Sequence, residues 1–435
     1  MRTIIKGIKY VILFFLGVIL IVLLLLFAKP LWHRIITYPR LEKQVIAFSK
    51  LRKEPPAITE LNTYRGVMHL HSYWSHDSEG SLFDIVPAAK DNGIDFIFLT
   101  DHPRGNIDTL PRGYKGIYDG VLIEPGSEKQ GFDAWPLDTV IIDWSLDKDT
   151  ISKNIVGSGG IIFYAHTEEP HNWYNPWYQG MEIYNFHTDT KDEKLAPQIA
   201  NFLINGKKYR HWAYREMFDE QKSILALWDT LNTWRKIVGF SAVDAHENQN
   251  IRARYLNDGR IEWVGPNANV IDTTDVKFWH KWLIHEPDSN GWIFKFMIDT
   301  YQTSFSYITN YVFSESGTLP DLVTHIKKGN LFTAFKSLGD ARGFNYYCLG
   351  NDDLPLCIMG DSTGIDKVKS LNAVSPFPGE FRLIHDGETV NISSGDNYQY
   401  SREGPLEKGA WRIEVHIKPG GRYIPWLYSN PIYIY

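Results

Sequence analysis

GVMHLH, residues 66–71, decides how the rest of this sequence reads. It is a short apolar run closed by two imidazoles one residue apart, and such a run predicts a buried strand. Side chains alternate along a strand, so His69 and His71 point the same way and can grip one cation together. By itself the pair is weak: with 15 His in the chain, a chance His-x-His is expected about half a time.

Working outward, the same arrangement recurs. IDFIFLTDH (94–102), GVLIEPGSE (120–128), GGIIFYAH (159–166) and IVGFSAVDAH (237–246) are apolar runs. They end in Asp101 with His102, Glu124 with Glu128, His166, and Asp244 with His246. GMEIYN (180–185) reads as a further strand. Between the runs, 81–92 and 150–157 have helical spacing, and 192–236 has room for two longer amphipathic helices. Strands alternating with helices predict parallel βα units, whose post-strand loops gather at one face. Five strand ends bearing imidazole or carboxylate therefore predict a metal site suited to zinc, manganese or iron. A carboxylate placed as Glu128 is can bridge two cations and reduce their repulsion. Just past the first pair, Ser75-His76-Asp77 offers two more donors.

The order of these motifs, H-x-H, D-H, G-x-E, A-H, G-x-E-x-x-N and D-x-H over residues 64–250, resembles the polymerase and histidinol phosphatase (PHP) superfamily of metal-dependent hydrolases. The tail ending PWLYSNPIYIY is similar to that of the carbaryl-hydrolase-like branch, which includes carbamate and ester hydrolases. The resemblance implies an α/β fold, a distorted (β/α)7 barrel with three metals. It implies His69, His71, Glu128 and Asp244 as ligands of the first, and Glu128 with His166 as ligands of the second. For the third it implies His102 and His246 with His76 or Asp77; His76 falls at the usual distance from His71 and is preferred. The G-x-E framing favours Glu128 over Glu124 as the bridge. Glu182 and Asn185 match the G-x-E-x-x-N strand and would support the site. Asp101 would orient a ligand imidazole or give a proton to the leaving group. Arg104 would contact a substrate anion, or is a plain surface residue. His171, His187 and Glu168 lie near the same face. Gly157, Gly159 and Gly160 precede a strand rather than open a helix, which excludes a dinucleotide loop.

At the N-terminus, YVILFFLGVILIVLLLLFA (10–28) is uncharged and long enough to cross a bilayer as a helix. It ends in Ala28-Lys29-Pro30 without a small-residue cleavage site, so an uncleaved anchor is favoured over a signal peptide. Basic residues on both sides leave the positive-inside rule without an answer. A short head and a large C-terminal body most simply put that body outside the cytoplasm. Beyond about residue 300 a helix is expected over 319–329, ending at Gly329. FRLIHDG, YQYSREG, WRIEVHIKP and PIYIY then predict a small antiparallel, sandwich-like β domain. The expected organisation is an anchor (1–31), a stalk (32–63), a hydrolase barrel (64–310) and a helix plus β domain (311–435).

Cys348 and Cys357 flank a short polar loop and read either as a disulfide or as two free thiols. A net charge of −6 without a basic tract argues against nucleic acid as partner. The 15 Trp, many between Trp135 and Trp292, read as packing or as a lipid- or ring-binding cleft. The expected activity is phosphoester hydrolysis by hydroxide shared between two or three divalent cations. Its substrate would be a small-molecule or lipid-linked ester, met at the membrane that the N-terminal helix crosses. A carboxyl-ester, carbamate or amide hydrolase on the same residues, or a non-catalytic metal-binding module, are the competing readings. The sequence sets no oligomeric state.

Overall fold

The computed structural model describes residues 2–435 apart from 138–140, 192–193, 249, 266–268, 289–290, 298 and 394. Strand Asn62–Leu70 lies between two parallel neighbours, Phe96–Phe98 and Val238–Ala245. Phe96–Phe98 pairs in parallel with Val121–Glu124, and past Pro125 and Gly126 a bridge joins Asp101 to Ser127. Ser127–Lys129 then turns back as Phe132–Trp135, which runs antiparallel to Ile161–Tyr164. Ile161–Tyr164 pairs in parallel with Gly180–Asn185, and that strand with Val238–Ala245. The pairings thereby return to their start.

Successive residues of these strands fall in separate buried clusters. Val67, Ile97, Ile162 and Val243 belong to one, and Met68, Phe96, Phe98, Phe163 and Ala242 to the other. Burial on both faces explains why the strands read as nearly continuous apolar runs. Gly66 allows the closest of these approaches, since an added Cβ would stand 1.9 Å from the Phe96 ring.

Helices Leu82–Asp91 and Lys148–Gly157 fall where the spacing predicts them. The first starts where Asp84 accepts the Ser81 backbone N–H at 3.0 Å, the second where Asp147 accepts that of Thr150 at 2.9 Å. The 192–236 stretch departs from expectation. Its described residues hold three short helices, Leu195–Asn205, Arg210–Arg215 and Lys222–Asn232, with Gly206 closing the first. Helix Leu319–Lys328 ends as expected on Gly329, whose φ of 76° is the left-handed cap that glycine adopts freely.

Three features lie outside the sequence reading. The N-terminal helix does not stop at a stalk: Arg2–Trp32 passes through a π-helical turn, His33–Thr37, into Tyr38–Ser49. Only residues after 49 are irregular, up to Asn62. Four strands, Asn250–Tyr255, Ile261–Val264, Val270–Thr274 and Trp292–Met297, form a separate antiparallel sheet directly after His246. The boundary expected at 310 falls inside strand Thr309–Ser314. That strand pairs with Asn62–Leu70 on one side and Leu331–Ala334 on the other, and Leu331–Ala334 pairs with Ile424–Ser429. The C-terminal strands pair antiparallel except for Ser362–Thr363 with Ile432–Ile434, which is parallel, and they extend the hydrogen bonding of the ring. Cys348 and Cys357 stand opposite each other on neighbouring strands and form a disulfide.

Candidate metal centre

The strand ends named from the sequence converge. His69 Nε2 lies 3.0 Å from Glu128 Oε2 and 3.4 Å from Asp244 Oδ1; His71 Nε2 lies 3.3 Å from each. A tetrahedral shell with bonds near 2.0–2.2 Å sets its ligand atoms about 3.3–3.6 Å apart, so these four atoms stand close to the edges of such a shell. Two of them, His71 Nε2 and Asp244 Oδ1, are buried without a hydrogen-bond partner. Orphaned polar atoms this deep are costly unless something is meant to meet them.

The convergence arises from a distortion as well as from strand alternation. Between Met68 and Leu70 the register against Ala242 and Ala245 slips by one residue, which is a bulge. His69, His166 and Asp244 all have positive φ, 56°, 49° and 48°. Residues with a Cβ take that conformation at a cost of about 1–3 kcal/mol each, and such strain collects where a side chain must be aimed.

Each imidazole is also fixed from behind. The Nδ1 of His69 meets Glu182 Oε1, that of His71 meets Ser75 Oγ at 3.1 Å, and that of His102 meets the Glu128 carbonyl at 3.1 Å. The Nδ1 of His166 faces Glu168 at 3.4 Å, and that of His246 meets the Asp244 carbonyl at 3.0 Å. With Nδ1 tied back, all five rings present Nε2 to the common space. This is how proteins set the tautomer of a ligating histidine.

Glu128 faces two ways. Its Oε2 meets His69 and His71, while Oε1 meets His166 Nε2 at 3.2 Å. Glu124 is instead engaged by the Lys115 ammonium at 3.2 Å and stands outside the donor groups. A second group gathers His71, Asp77, His102 and His246. Asp77 Oδ2 is 3.4 Å from both His102 Nε2 and His246 Nε2. His76, preferred by counting along the sequence, is exposed and only its ring approaches His102, at 5.3 Å between centroids. The chain turns at Ser75 so that the next residue leaves the cluster and the one after enters it. His166 meets Glu128 and, at 3.8 Å, Asp244 Oδ2, yet it belongs to none of the groups of three or more donors among the described residues.

Asp101 does not orient an imidazole through a hydrogen bond of its own. Its carboxylate accepts the Ser72 amide at 2.6 Å and the Ser72 hydroxyl at 2.8 Å, which pins the turn after His71. Arg104 is exposed in the following loop. Glu182 and Asn185 do support the cluster: Glu182 Oε2 accepts the His166 amide at 2.9 Å and the Asn185 side chain at 3.1 Å. His171 Nε2 donates to the His166 carbonyl, 3.0 Å away, and His187 has its ring 5.3 Å from that of His246. Asp133 was missed by the sequence reading. It is fully buried, 3.4 Å from His69 Nδ1, with neither carboxylate oxygen hydrogen-bonded. An acid in the middle of a short apolar strand, FDAW, is the signal that marks it.

The electrostatics follow from this crowd of carboxylates. Burial alone would strip His69 of its proton, but Asp133, Asp244, Glu182 and Glu128 outweigh it and hold its pKa well above the usual value. Against the same opposition from burial, His166 is pushed up to about 11, chiefly by Glu128, and His102 to about 9, chiefly by Asp77. Glu128 and Asp244 are likewise driven well below the carboxylate range despite burial, with His69 as the main cause. Asp133 goes the other way, its pKa pushed well above the usual carboxylate value by burial and by Glu182 and Glu128, against the opposing pull of His69. Imidazoles held protonated beside carboxylates held ionised mark a demand for positive charge, the kind of demand that a divalent cation would meet in place of those protons.

No protein-family model matches the chain, and no curated protein does. Among solved structures it is similar to a two-domain protein from Bacteroides vulgatus ATCC 8482 containing a predicted PHP-like metal-dependent phosphoesterase, with 11% identity over 87% of this chain and 98% of that one. The TM-score of 0.34 makes that likeness too loose to bear on fold or chemistry.

Proposed function

We propose that this chain is a membrane-anchored, metal-dependent phosphoesterase of the PHP kind, its ring of strands a distorted (β/α)7 barrel and its body on the extracytoplasmic side. The observation that carries the reading is the donor set: His69 and His71, each with its Nε2 3.0–3.4 Å from a Glu128 and an Asp244 oxygen, with their other atoms tied back. These four would hold one cation, Glu128 and His166 a second, and Asp77, His102 and His246 a third. Zinc, manganese and iron all suit mixed imidazole and carboxylate donors. When bound, such cations supply Lewis acidity and acidify water for attack on an ester.

The protein's own groups do the rest. Glu182, Ser75 and Glu168 hold three rings in the tautomer that leaves Nε2 free. Ser72 and Asp101 lock the turn that carries His71 toward Asp77. Arg104, exposed in the loop after His102, would meet a substrate anion through its guanidinium fork. Its replacement by Ala is expected to raise KM and leave kcat nearly unchanged.

Elemental analysis of the purified full chain, paired with a panel of phosphomonoesters, phosphodiesters and carboxyl esters, tests the proposal. Metal content and a preference for phosphoesters are expected, and His69→Ala with His71→Ala should lose both together. Turnover that survives that double substitution would sink the mechanism. Preference for carboxyl esters or carbamates would move the same residues to the competing activity.

A further inference from the structure

Away from the N-terminal helix, one short segment exposes an unusual amount of apolar surface. Val276, Phe278, Trp279, Trp282 and Leu283 are all exposed, Phe278 at 78% and Trp282 at 84%. A soluble surface scatters such side chains; grouping them marks a contact. The segment is folded firmly onto the small antiparallel sheet. His280 is buried, its ring 5.9 Å from that of Trp263, and Ile284 packs on the cluster of Ala253, Ile261 and Ile293. The aromatic side is therefore the outward side of an ordered element. Residues 276–285 also contain Lys277 and Lys281, both exposed, and no carboxylate.

The small sheet is tied to the N-terminal helix through a short hydrogen-bonded path. Asn205 donates to the Pro30 carbonyl at 3.0 Å, and Arg210 to the Gly206 carbonyl at 3.1 Å. Arg210 also donates to the Met297 carbonyl at 3.3 Å, at the end of edge strand Trp292–Met297. Leu25 and Leu26, in the last turns of the apolar run, line a cavity of about 260 Å³ together with Phe202 and Met217. The helix stays unbroken from the apolar run to Ser49, with no flexible tether between. A body fixed in this way is held at the bilayer surface.

We propose that residues 276–283 form a second membrane contact. Phe278, Trp279, Trp282 and Leu283 enter the interfacial layer of the bilayer that the N-terminal helix crosses, where Trp is favoured, and Lys277 and Lys281 meet anionic headgroups. The inference rests on the membrane-anchored reading above and deepens it. The small sheet starts at Asn250, just after His246, so a sheet seated on the lipid would present the metal centre to an ester at the membrane surface.

Both cysteines are in the disulfide, so an introduced cysteine is the sole free thiol. Nitroxides at Trp282→Cys, Leu20→Cys and Asn351→Cys would be compared in the full chain, reconstituted in vesicles of phosphatidylcholine and phosphatidylglycerol. At 282 the ratio of accessibility to oxygen over accessibility to a water-soluble nickel complex is expected to be several-fold above that at 351, and on the side of the value at 20. A label at 282 that resembles the one at 351, while 20 is in lipid, overturns the proposal and leaves the phosphoesterase reading intact. Spin–spin broadening at 282 with full access to nickel assigns the patch to a contact between copies and also overturns it. A label at 20 exposed to nickel removes the anchor, and the proposal with it. No outcome depends on metal or turnover.

Discussion

Asp229, Arg412 and Glu414 form one buried cluster of charge, and His69, His71, Glu128 and Asp244 form another; they satisfy themselves in opposite ways. Arg412 joins the helix Lys222–Asn232 to the strand Gly409–Ile417. It donates to Asp229 at 2.8 Å and to Glu414 at 2.6 Å, and none of these three residues has positive φ. The second cluster keeps orphaned atoms on His71 and Asp244, adds Asp133 with both oxygens unpartnered, and sits on backbone twisted to positive φ at His69 and Asp244. Pairing and relaxed backbone characterise a group that holds the fold together. Orphaned donors on a strained backbone characterise a group kept for something that arrives later.

The contrast is sharpest in a pair of substitutions. Asp244→Asn keeps the side chain's shape but removes an anionic donor, and turnover is expected to fall about 10³–10⁴-fold. Asp244 Oδ1 has no hydrogen-bond partner, but His69 holds the Asp244 carboxyl well below the usual range, so the metal-stripped protein should lose some stability as well, by less than Arg412→Met costs it. Arg412→Met leaves Asp229 and Glu414 buried without their cation, and should cost about 3–5 kcal/mol of stability. Metal content per folded molecule should not change. Urea denaturation of chelated protein, alongside turnover of loaded protein, reads both. The comparison breaks if Arg412→Met is stable, or if Asp244→Asn remains active.

A somewhat smaller effect separates the clusters by pH. Burial pushes the Glu414 carboxyl up, but Arg412 outweighs it and the net value falls to about 2. A depressed carboxyl stabilises the fold fully above its unfolded value of 4.5. As pH drops from there toward 2, the unfolded chain takes up the proton first, and about 3 kcal/mol is lost. The stability difference between the wild type and Glu414→Gln should therefore shrink across that window. A difference that stays flat would mean the Arg412 pairing does not hold Glu414 ionised.

Much of the centre was legible because ligation is written in residue types. Imidazoles and carboxylates closing apolar runs, as in GVMHLH and IVGFSAVDAH, name themselves, and burial on both faces made the strands read as unbroken apolar stretches. What stayed hidden depends on relations between distant backbones. The bulge at His69 is invisible because it exists only in the pairing with Val238–Ala245. Asp133 is hard to see because its strand, Phe132–Trp135, is four residues long and pairs antiparallel with Ile161–Tyr164, outside the alternation of parallel strands and helices. The small sheet after His246 carried a legible signal, Asn257-Asp258-Gly259 between the alternating segments of strands Asn250–Tyr255 and Ile261–Val264. Arg252, Arg254 and Arg260 break the apolar pattern there. Charged residues and the Pro55-Pro56 break make 32–63 read as a stalk, whereas the helix runs on to Ser49 and buries Tyr38.

The choice between His76 and Asp77 isolates that lesson in neighbouring residues and gives the smallest effect. Spacing from His71 favours His76; the fold sends His76 into solvent and brings Asp77 Oδ2 to 3.4 Å from two Nε2 atoms. Asp77→Asn removes an anionic donor but keeps His102 and His246, so metal affinity should weaken about 10–100-fold rather than vanish. His76→Gln changes an exposed side chain and should leave affinity and stability within about 0.5 kcal/mol of wild type. Titration of chelated protein with zinc or manganese, followed by calorimetry, distinguishes them. If His76→Gln is the variant that loses affinity, the loop closes on the metal in a way that turns His76 inward. His76, at the usual distance from His71, would then be the ligand in the loaded state.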